Sequence, residues 1–271
     1  MRCYNFMWNH KWFNETPSRR VLLSYIVDFI LILLIIAPYP LFHFMRPYER
    51  LVFRDDPSIR YPYTQSELVP TWSLALIVLV LPTTVITCWL GCQKFRRKRL
   101  FVAFLGLFLA LALATQITNI VKNLTGRARP DFLDRCDPDP AIQDRMVCRG
   151  PKVKVEEGRR SFPSGHTSTS FAGLGYLALF IAGQTGLFDG QGNVWPLIVS
   201  GAPLLLATFI GLSRVSDYRH HWSDGKASIW LSNSFSSDGR SSGIQFGILL
   251  LSTVLSSIVC SPFKHTIICS L

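Results

Sequence analysis

Ser161-Phe162-Pro163-Ser164-Gly165-His166-Thr167-Ser168 stands between a basic, loop-like segment and an apolar one, which marks it as the mouth of a buried helix. Pro163 disfavours helical backbone at Phe162, and Ser164 is a good N-cap for the apolar segment after it. A helix starting there aims free backbone N–H groups, including those of Gly165 and His166, out of its end, and such an end binds anions. His166 adds a side chain that gives and takes protons near neutral pH. Alone, Pro-Ser-Gly-His is a weak signal, because a lone histidine at a helix start is more often structural than catalytic. A site would need cations and a second histidine delivered to the same place by other segments.

The flanking sequence sets the fold class. Of 271 residues 49% are apolar, and the mean hydropathy is +0.27. The apolar residues gather into six runs, Val21–Leu41, Pro70–Cys92, Leu100–Val121, His166–Gly183, Val194–Leu212 and Ile244–Cys260. Each approaches the roughly 20 residues needed to cross a hydrocarbon core, the last being the shortest. The expectation is an all-α, polytopic transmembrane helical bundle of about six spans. Residues 1–20 form a cytoplasmic N-terminal segment, 21–224 the core, and 225–271 a tail whose last span is 244–260.

The net charge of +11 invites comparison with nucleic-acid binders. Its cations cluster at span ends and in one loop, with no basic helix or RNA-binding signature, so nucleic acid is excluded as a partner. An anionic membrane surface or a phosphate-bearing substrate fits better. The seven cysteines show no CxxC pair and no zinc spacing, so no metal site is expected. No cleavable signal peptide is expected, and the first span is expected to act as the anchor.

Along the chain, Asp28 falls inside the first span, where its carboxylate is expected to face the bundle interior or be protonated. The Pro- and Tyr-rich loop from Phe42 to Val69 reads as an ordered interfacial segment. Lys94-Phe95-Arg96-Arg97-Lys98-Arg99 puts five cations in six residues of a short loop, a cytoplasmic marker. Counting spans from there, the N-terminus is cytoplasmic, and the 121–165 loop and the end of span five lie on the opposite side. Asn14-Glu15-Thr16, a glycosylation sequon, is left unmodified by this topology. Cys136 and Cys148 share the non-cytoplasmic loop and are candidates for a disulfide, with two free thiols the alternative.

The basic 121–165 loop runs against the positive-inside count, which is reconciled if several of its cations serve a site. Span three ends in Lys122-Asn123-Leu124-Thr125-Gly126-Arg127-Ala128-Arg129-Pro130, with Lys122 and Arg129 about two helical turns apart. An interfacial belt of snorkelling cations is the plain alternative. Span five ends at Ser213-Arg214, and after it come Val215-Ser216-Asp217-Tyr218-Arg219-His220-His221-Trp222-Ser223-Asp224. His220 and Asp224 are four apart and would share a helix face, where the carboxylate accepts from one ring nitrogen and leaves the other free. Topology brings Lys122, Arg129, Ser164, His166, Arg214, His220 and Asp224 to one membrane face.

Taken together, Lys122-x6-Arg129-Pro130 (motif 122–130), Pro163-Ser164-Gly165-His166 (within 161–168) and Ser213-Arg214-x5-His220-x3-Asp224 (213–224) resemble the three motifs of the type 2 phosphatidic acid phosphatase superfamily. Arg129–Cys136 and Ile59-Arg60-Tyr61-Pro62 look like its lipid phosphate phosphatase branch, in fungal or plant form. The resemblance covers about residues 20–224. It implies a magnesium-independent lipid phosphate phosphatase with no cofactor, working through a phosphohistidine. His220 would be the nucleophile, oriented by Asp224, and His166 the acid and then the base. Lys122, Arg129, Arg214, Ser164 and the Gly165 N–H would hold the phosphoryl oxygens. Phosphoryl transfer needs mainly positioning and charge stabilisation, which these residue types supply. His221 is expected to pack beside the motif.

After Asp224 the chain departs from the family, running polar and Ser-rich from Gly225 to Gly243 before another apolar run. The expected partners are a lipid phosphate substrate and membrane lipids; the oligomeric state is left open. The expected location is an endomembrane (ER, Golgi or vacuole) or the plasma membrane, with the catalytic face lumenal or extracellular. Two further readings stand beside this one: a phosphatase for sphingoid-base or polyprenyl phosphates, and a catalytically impaired relative that binds lipid or protein. A vanadate-type haloperoxidase shares the motifs, but six spans argue against it.

Overall fold

The computed structural model describes residues 19–93, 97–141, 146–187 and 193–236. Its helices are α1 (Arg19–Ile36), α2 (Tyr39–Phe44), α3 (Thr71–Cys92), α4 (Arg97–Thr125), α5 (Phe132–Cys136), α6 (Lys152–Gly158), α7 (Gly165–Thr185), α8 (Trp195–Ser216) and α9 (Trp222–Ser236), with a 3-10 turn at Pro57–Ile59. The only β contact among the described residues is an isolated bridge between Pro138 and Cys148. The bundle is all-α and polytopic, as its apolar runs require. Among the described residues four stretches are long and apolar enough to cross a membrane: Tyr25–Phe44, Thr71–Cys92, Arg99–Thr125 and Trp195–Ser216.

α7, expected as a span over His166–Gly183, is not one of those four, and its surroundings explain why. It packs against α3, α4, α8 and α9 at once, so most of its surface meets protein. A helix in that position gains from small and hydroxyl side chains that admit close backbones and make interhelical hydrogen bonds. At Gly173 a Cβ would sit 3.0 Å from the Val78 carbonyl oxygen on α3. Phe171 and Leu174 fill the core between Val78, Leu107, Leu111 and Ile210. Lipid-facing character falls to the outer helices, which expose Trp72, Leu76, Ile198, Leu205 and Phe209.

The polar run after Asp224 is helical as far as Ser236, in α9. Two of its serines face inward: Ser228 and Ser232 are fully buried and donate to the carbonyls of Ser164 and Ser168 at 3.1 and 2.7 Å. On α7's other flank Thr118 and Ser168 share a 2.8 Å hydrogen bond. Thus α9 is polar in composition because it is bonded to the α7 backbone. Asp28 is exposed on the surface of α1 rather than turned into the bundle, since α1 touches its neighbours mainly through residues such as Tyr25 and Ile32. The apolar run 244–260, the sequon at Asn14 and residues 1–18 lie outside the described residues.

Residues 45–70 cross the end of the bundle where α4 finishes and α7 begins. They are tied down by Tyr48 N to Asn123 O at 2.8 Å, Tyr61 N to Pro130 O at 3.0 Å, and Arg54 to the Pro138 and Asp139 carbonyls. Beneath them Ile59, Ala128, Phe132 and Cys136 form a small apolar cluster. Cys136 is disulfide-bonded to Cys148.

Candidate active site

Ser164 caps α7 as its sequence predicts. Its backbone is extended and its hydroxyl accepts from the Thr167 N–H. Gly165, the first residue of α7, has the Lys122 ammonium directly over it: a Cβ there would lie 3.1 Å from Lys122 Nζ. The end of α4 and the start of α7 are therefore joined across the space an anion would enter. Thr125 Oγ1 donates to the Phe162 carbonyl at 3.0 Å, and Ser161 N to the Arg127 carbonyl at 3.0 Å, bracing the two segments.

His220 is placed differently from the sequence expectation. It sits in the turn between α8 and α9, where Tyr218 takes a left-handed φ of 55°, so it shares no helix face with Asp224. Its Nδ1 is 2.6 Å from the Ser161 carbonyl oxygen and 3.7 Å from Asp224 Oδ2, the latter too long for a hydrogen bond. A carbonyl only accepts, so Nδ1 carries the proton and Nε2 keeps its lone pair. Burial, reinforced by Arg129 and Lys122 against the opposing Asp224, pushes the His220 pKa down to about 3. The ring is neutral near pH 7, the form a nucleophile requires.

Asp224, fully buried at the third position of α9, gathers donors. Oδ2 accepts from the Ser161 hydroxyl at 2.5 Å and the His221 N–H at 3.0 Å, while Oδ1 accepts from Arg127 Nη1 at 2.7 Å. The His221 contact is the returning half of a capping box, which starts α9 where it does. Burial alone would raise this carboxyl; the adjacent His220 ring, Ser161 and Arg127 outweigh it and hold the pKa below the usual range. Beside the motif, the His221 ring faces the Ala128 carbonyl at 3.2 Å.

The remaining cations carry partners that sequence reasoning missed. Arg129, at 6% exposure, pairs with Glu157 at 3.1 Å. Arg214, at 2%, pairs with Glu67 at 3.2 Å and donates to the Val69 carbonyl. Both carboxylates would rise on burial, but Arg129 with Arg135, and Arg214 with Arg219, hold them ionised. His166 is half-buried, with Nε2 unpartnered, within electrostatic reach of Arg214, Glu67 and Lys122. Nothing in the spacing of Glu67, Glu157, Ser161 or Arg127 announces these contacts; Ser161 and Arg127 stand inside the motifs, which is the one signal that could have found them. Among the described residues no group of three or more His, Cys, Asp or Glu side chains is placed to hold a metal ion.

Fold and site together define a polytopic membrane protein with a buried histidine and a cationic cluster at one bundle end. Residues 103–236 match the PAP2 superfamily, and the chain belongs to it. It is 40% identical to lipid phosphate phosphatase 2 of Arabidopsis thaliana over 203 residues, 73% of this chain and 69% of that one. Lipid phosphate phosphatase 1 of the same plant is 39% identical, over 73% of this chain and 61% of its own. Diacylglycerol pyrophosphate phosphatase 1 of Saccharomyces cerevisiae is 38% identical, over 72% and 71%. No solved structure matches.

Proposed function

We propose that this protein is an integral membrane lipid phosphate phosphatase that hydrolyses phosphatidate, diacylglycerol pyrophosphate or related lipid phosphates through a phosphohistidine. The observation that carries the mechanism is the bond between His220 Nδ1 and the Ser161 carbonyl, which leaves Nε2 as a free lone pair in a neutral ring. Nε2 attacks phosphorus, the P–O bond to the lipid breaks, and His166, entering the step as the imidazolium beside the bound phosphate anion, gives a proton to the departing oxygen and is left neutral. His166 then takes a proton from water as that water attacks phosphorus and the N–P bond breaks, releasing phosphate. Lys122, Arg129, Arg214, Ser164 and the Gly165 N–H hold the phosphoryl oxygens.

Glu67 and Glu157 are the counter-charges of Arg214 and Arg129. Each carboxylate is shared with a second arginine, Glu67 with Arg219 and Glu157 with Arg135, so it keeps a partner when a phosphoryl group takes its place on Arg214 or Arg129. The catalytic face is lumenal or extracellular: the Cys136–Cys148 bond lies at that end, where an oxidising compartment favours it. In sequence the Lys94–Arg99 cations join the C-terminus of α3 to the N-terminus of α4, a cytoplasmic marker. A glycan on Asn14 of the native protein would reverse that orientation. Membrane lipids surround the bundle, and no nucleic acid is a partner.

The test is phosphate release from phosphatidate by detergent-solubilised protein. Activity that survives EDTA and falls to background in His220→Ala, while the variant stays folded, is the expected result. Activity abolished by EDTA, or retained without His220, overturns the mechanism.

A further inference from the structure

Arg129 and Arg214 come from different segments, yet an unbroken chain of alternating charges joins them. Arg214 pairs with Glu67 Oε2, and the other Glu67 oxygen meets Arg219 Nη2 at 3.1 Å. Arg219 Nη1 reaches Asp131 Oδ2 at 3.6 Å, and Arg135 Nη2 reaches the same oxygen at 2.9 Å. Arg135 Nη1 then meets Glu157 Oε2 at 3.2 Å, and the other Glu157 oxygen meets Arg129 at 3.1 Å. Asp131 stands in the middle.

Asp131 is fully buried, and Arg135 and Arg219 nearly so. Neither oxygen of Asp131 accepts a hydrogen bond of good geometry, so charge alone holds it. Burying a carboxylate is costly, and its ion pairs offset that cost only in part, so it adds little stability over an apolar group of its size. What it fixes is geometry. The Tyr63 ring packs against both guanidiniums, with Arg135 Cζ 4.7 Å and Arg219 Cζ 4.3 Å from its centroid. Arg219 also donates to the Thr64 carbonyl at 2.9 Å. Each guanidinium gives one terminal nitrogen to Asp131 and the other to a glutamate. Where Glu67 and Glu157 hold Arg214 and Arg129 therefore depends on where Arg219 and Arg135 stand, and that depends on Asp131.

We infer that Asp131 is a positioning residue for phosphoryl transfer: through Arg219 and Arg135 it sets Glu67 and Glu157, and through them Arg214 and Arg129. The inference rests on the phosphatase reading above. Its effect is specific to the transition state. A transferring phosphoryl group spreads charge over three equatorial oxygens, and two guanidiniums serve it only from set positions. A ground-state phosphate asks mainly for nearby positive charge. Asp131→Asn removes one negative charge, which favours every bound anion alike. It also frees Arg219 and Arg135 to draw Glu67 and Glu157 out of place.

The test measures inhibition of phosphatidate hydrolysis by orthovanadate and by inorganic phosphate, for the full chain in detergent, as wild type and Asp131→Asn. Vanadium accepts five ligands, as phosphorus does during transfer, whereas phosphate represents the ground state. The ratio of the two inhibition constants cancels the general charge effect and any loss of active protein, which is all that a structural role would change. The substitution is expected to weaken vanadate relative to phosphate about tenfold, less than removal of a whole preorganised donor costs. A ratio unchanged or shifted the other way overturns the inference, whatever the melting temperature does, and leaves Asp131 to hold the fold. Should the Asn variant not fold, Arg219→Lys keeps the charge, but its single ammonium cannot bridge Asp131 and Glu67 as a guanidinium does. The same weakening is expected there, and an unchanged ratio again overturns the inference. A wild type that hydrolyses no phosphatidate defeats the phosphatase reading, and this inference with it; an active wild type whose ratio the variants share defeats this inference alone.

Discussion

His220 Nδ1 lies 2.6 Å from the backbone oxygen of Ser161, and the Ser161 hydroxyl lies 2.5 Å from Asp224 Oδ2. The carboxylate thus steadies the histidine through Ser161, and a main-chain carbonyl, which no side-chain substitution removes, selects the tautomer. In a triad where the carboxylate alone sets the tautomer, its amide replacement costs about 10⁴-fold in kcat. Here Asp224→Asn is expected to cost less, about 10²-fold, because the Ser161 carbonyl still holds Nδ1–H. Ser161→Ala keeps that carbonyl and is expected to cost no more than about tenfold. Steady-state kcat for both variants on phosphatidate tests the ordering; a Ser161→Ala loss larger than that of Asp224→Asn contradicts it.

Acid is expected to loosen the fold through the same residue. The folded pKa of His220, about 3, is below the unfolded value, which lies near 6.5. The unfolded chain therefore binds this proton first as the pH falls. The stability due to neutral, buried His220 is complete above about pH 6.5 and is lost progressively toward pH 3. Burial lowers His221 in the same direction. The melting temperature in detergent should be flat above neutrality and decline below it, with a shallower decline in His220→Gln. An equally steep decline in that variant would assign the acid sensitivity elsewhere.

Gly165→Ala probes the closest approach in the site. The new Cβ would come within 3.1 Å of Lys122 Nζ, the far end of a flexible side chain. The fold should absorb it, while the cation shifts away from the helix N-terminus. The expected result is an unchanged melting temperature with kcat/KM lower by about tenfold, or 1.4 kcal/mol. A wild-type kcat/KM would remove Lys122 from the phosphoryl site.

The Cys136–Cys148 bond closes a loop of 12 residues under the segment that carries Glu157. Cys148→Ala should reduce stability by about 3 kcal/mol, the scale for a loop of this size. Differential scanning calorimetry of the detergent-solubilised variant measures it, and an unaltered transition would show the bond to be dispensable.

Sequence and structure part company at identifiable residues. α3, α4 and α8 are uninterrupted apolar runs and could be placed to within a few residues. The Ser-rich stretch after Asp224 could not, because α9 is stabilised by hydroxyls bonded to the α7 backbone, and no periodicity of hydrophobic residues betrays that. Of the site, the histidines, Ser164 and the cations were legible from type and spacing. The His220–Ser161 bond was not, since spacing of four suggests a shared helix and the chain instead turns at Tyr218. Glu67 and Glu157 were invisible for a related cause: pairing through space leaves no trace in local sequence.

The polarity of α7 has a consequence for how the protein is made. A segment carrying Ser164, Thr167, Ser168 and Ser170 at one end, all buried in the finished molecule, gains little from entering lipid by itself. Its place in the bilayer is secured only after α3 and α4 wait on one side and α8 and α9 arrive on the other. The helix that carries Ser164 and His166 is thus held by its protein neighbours more than by lipid.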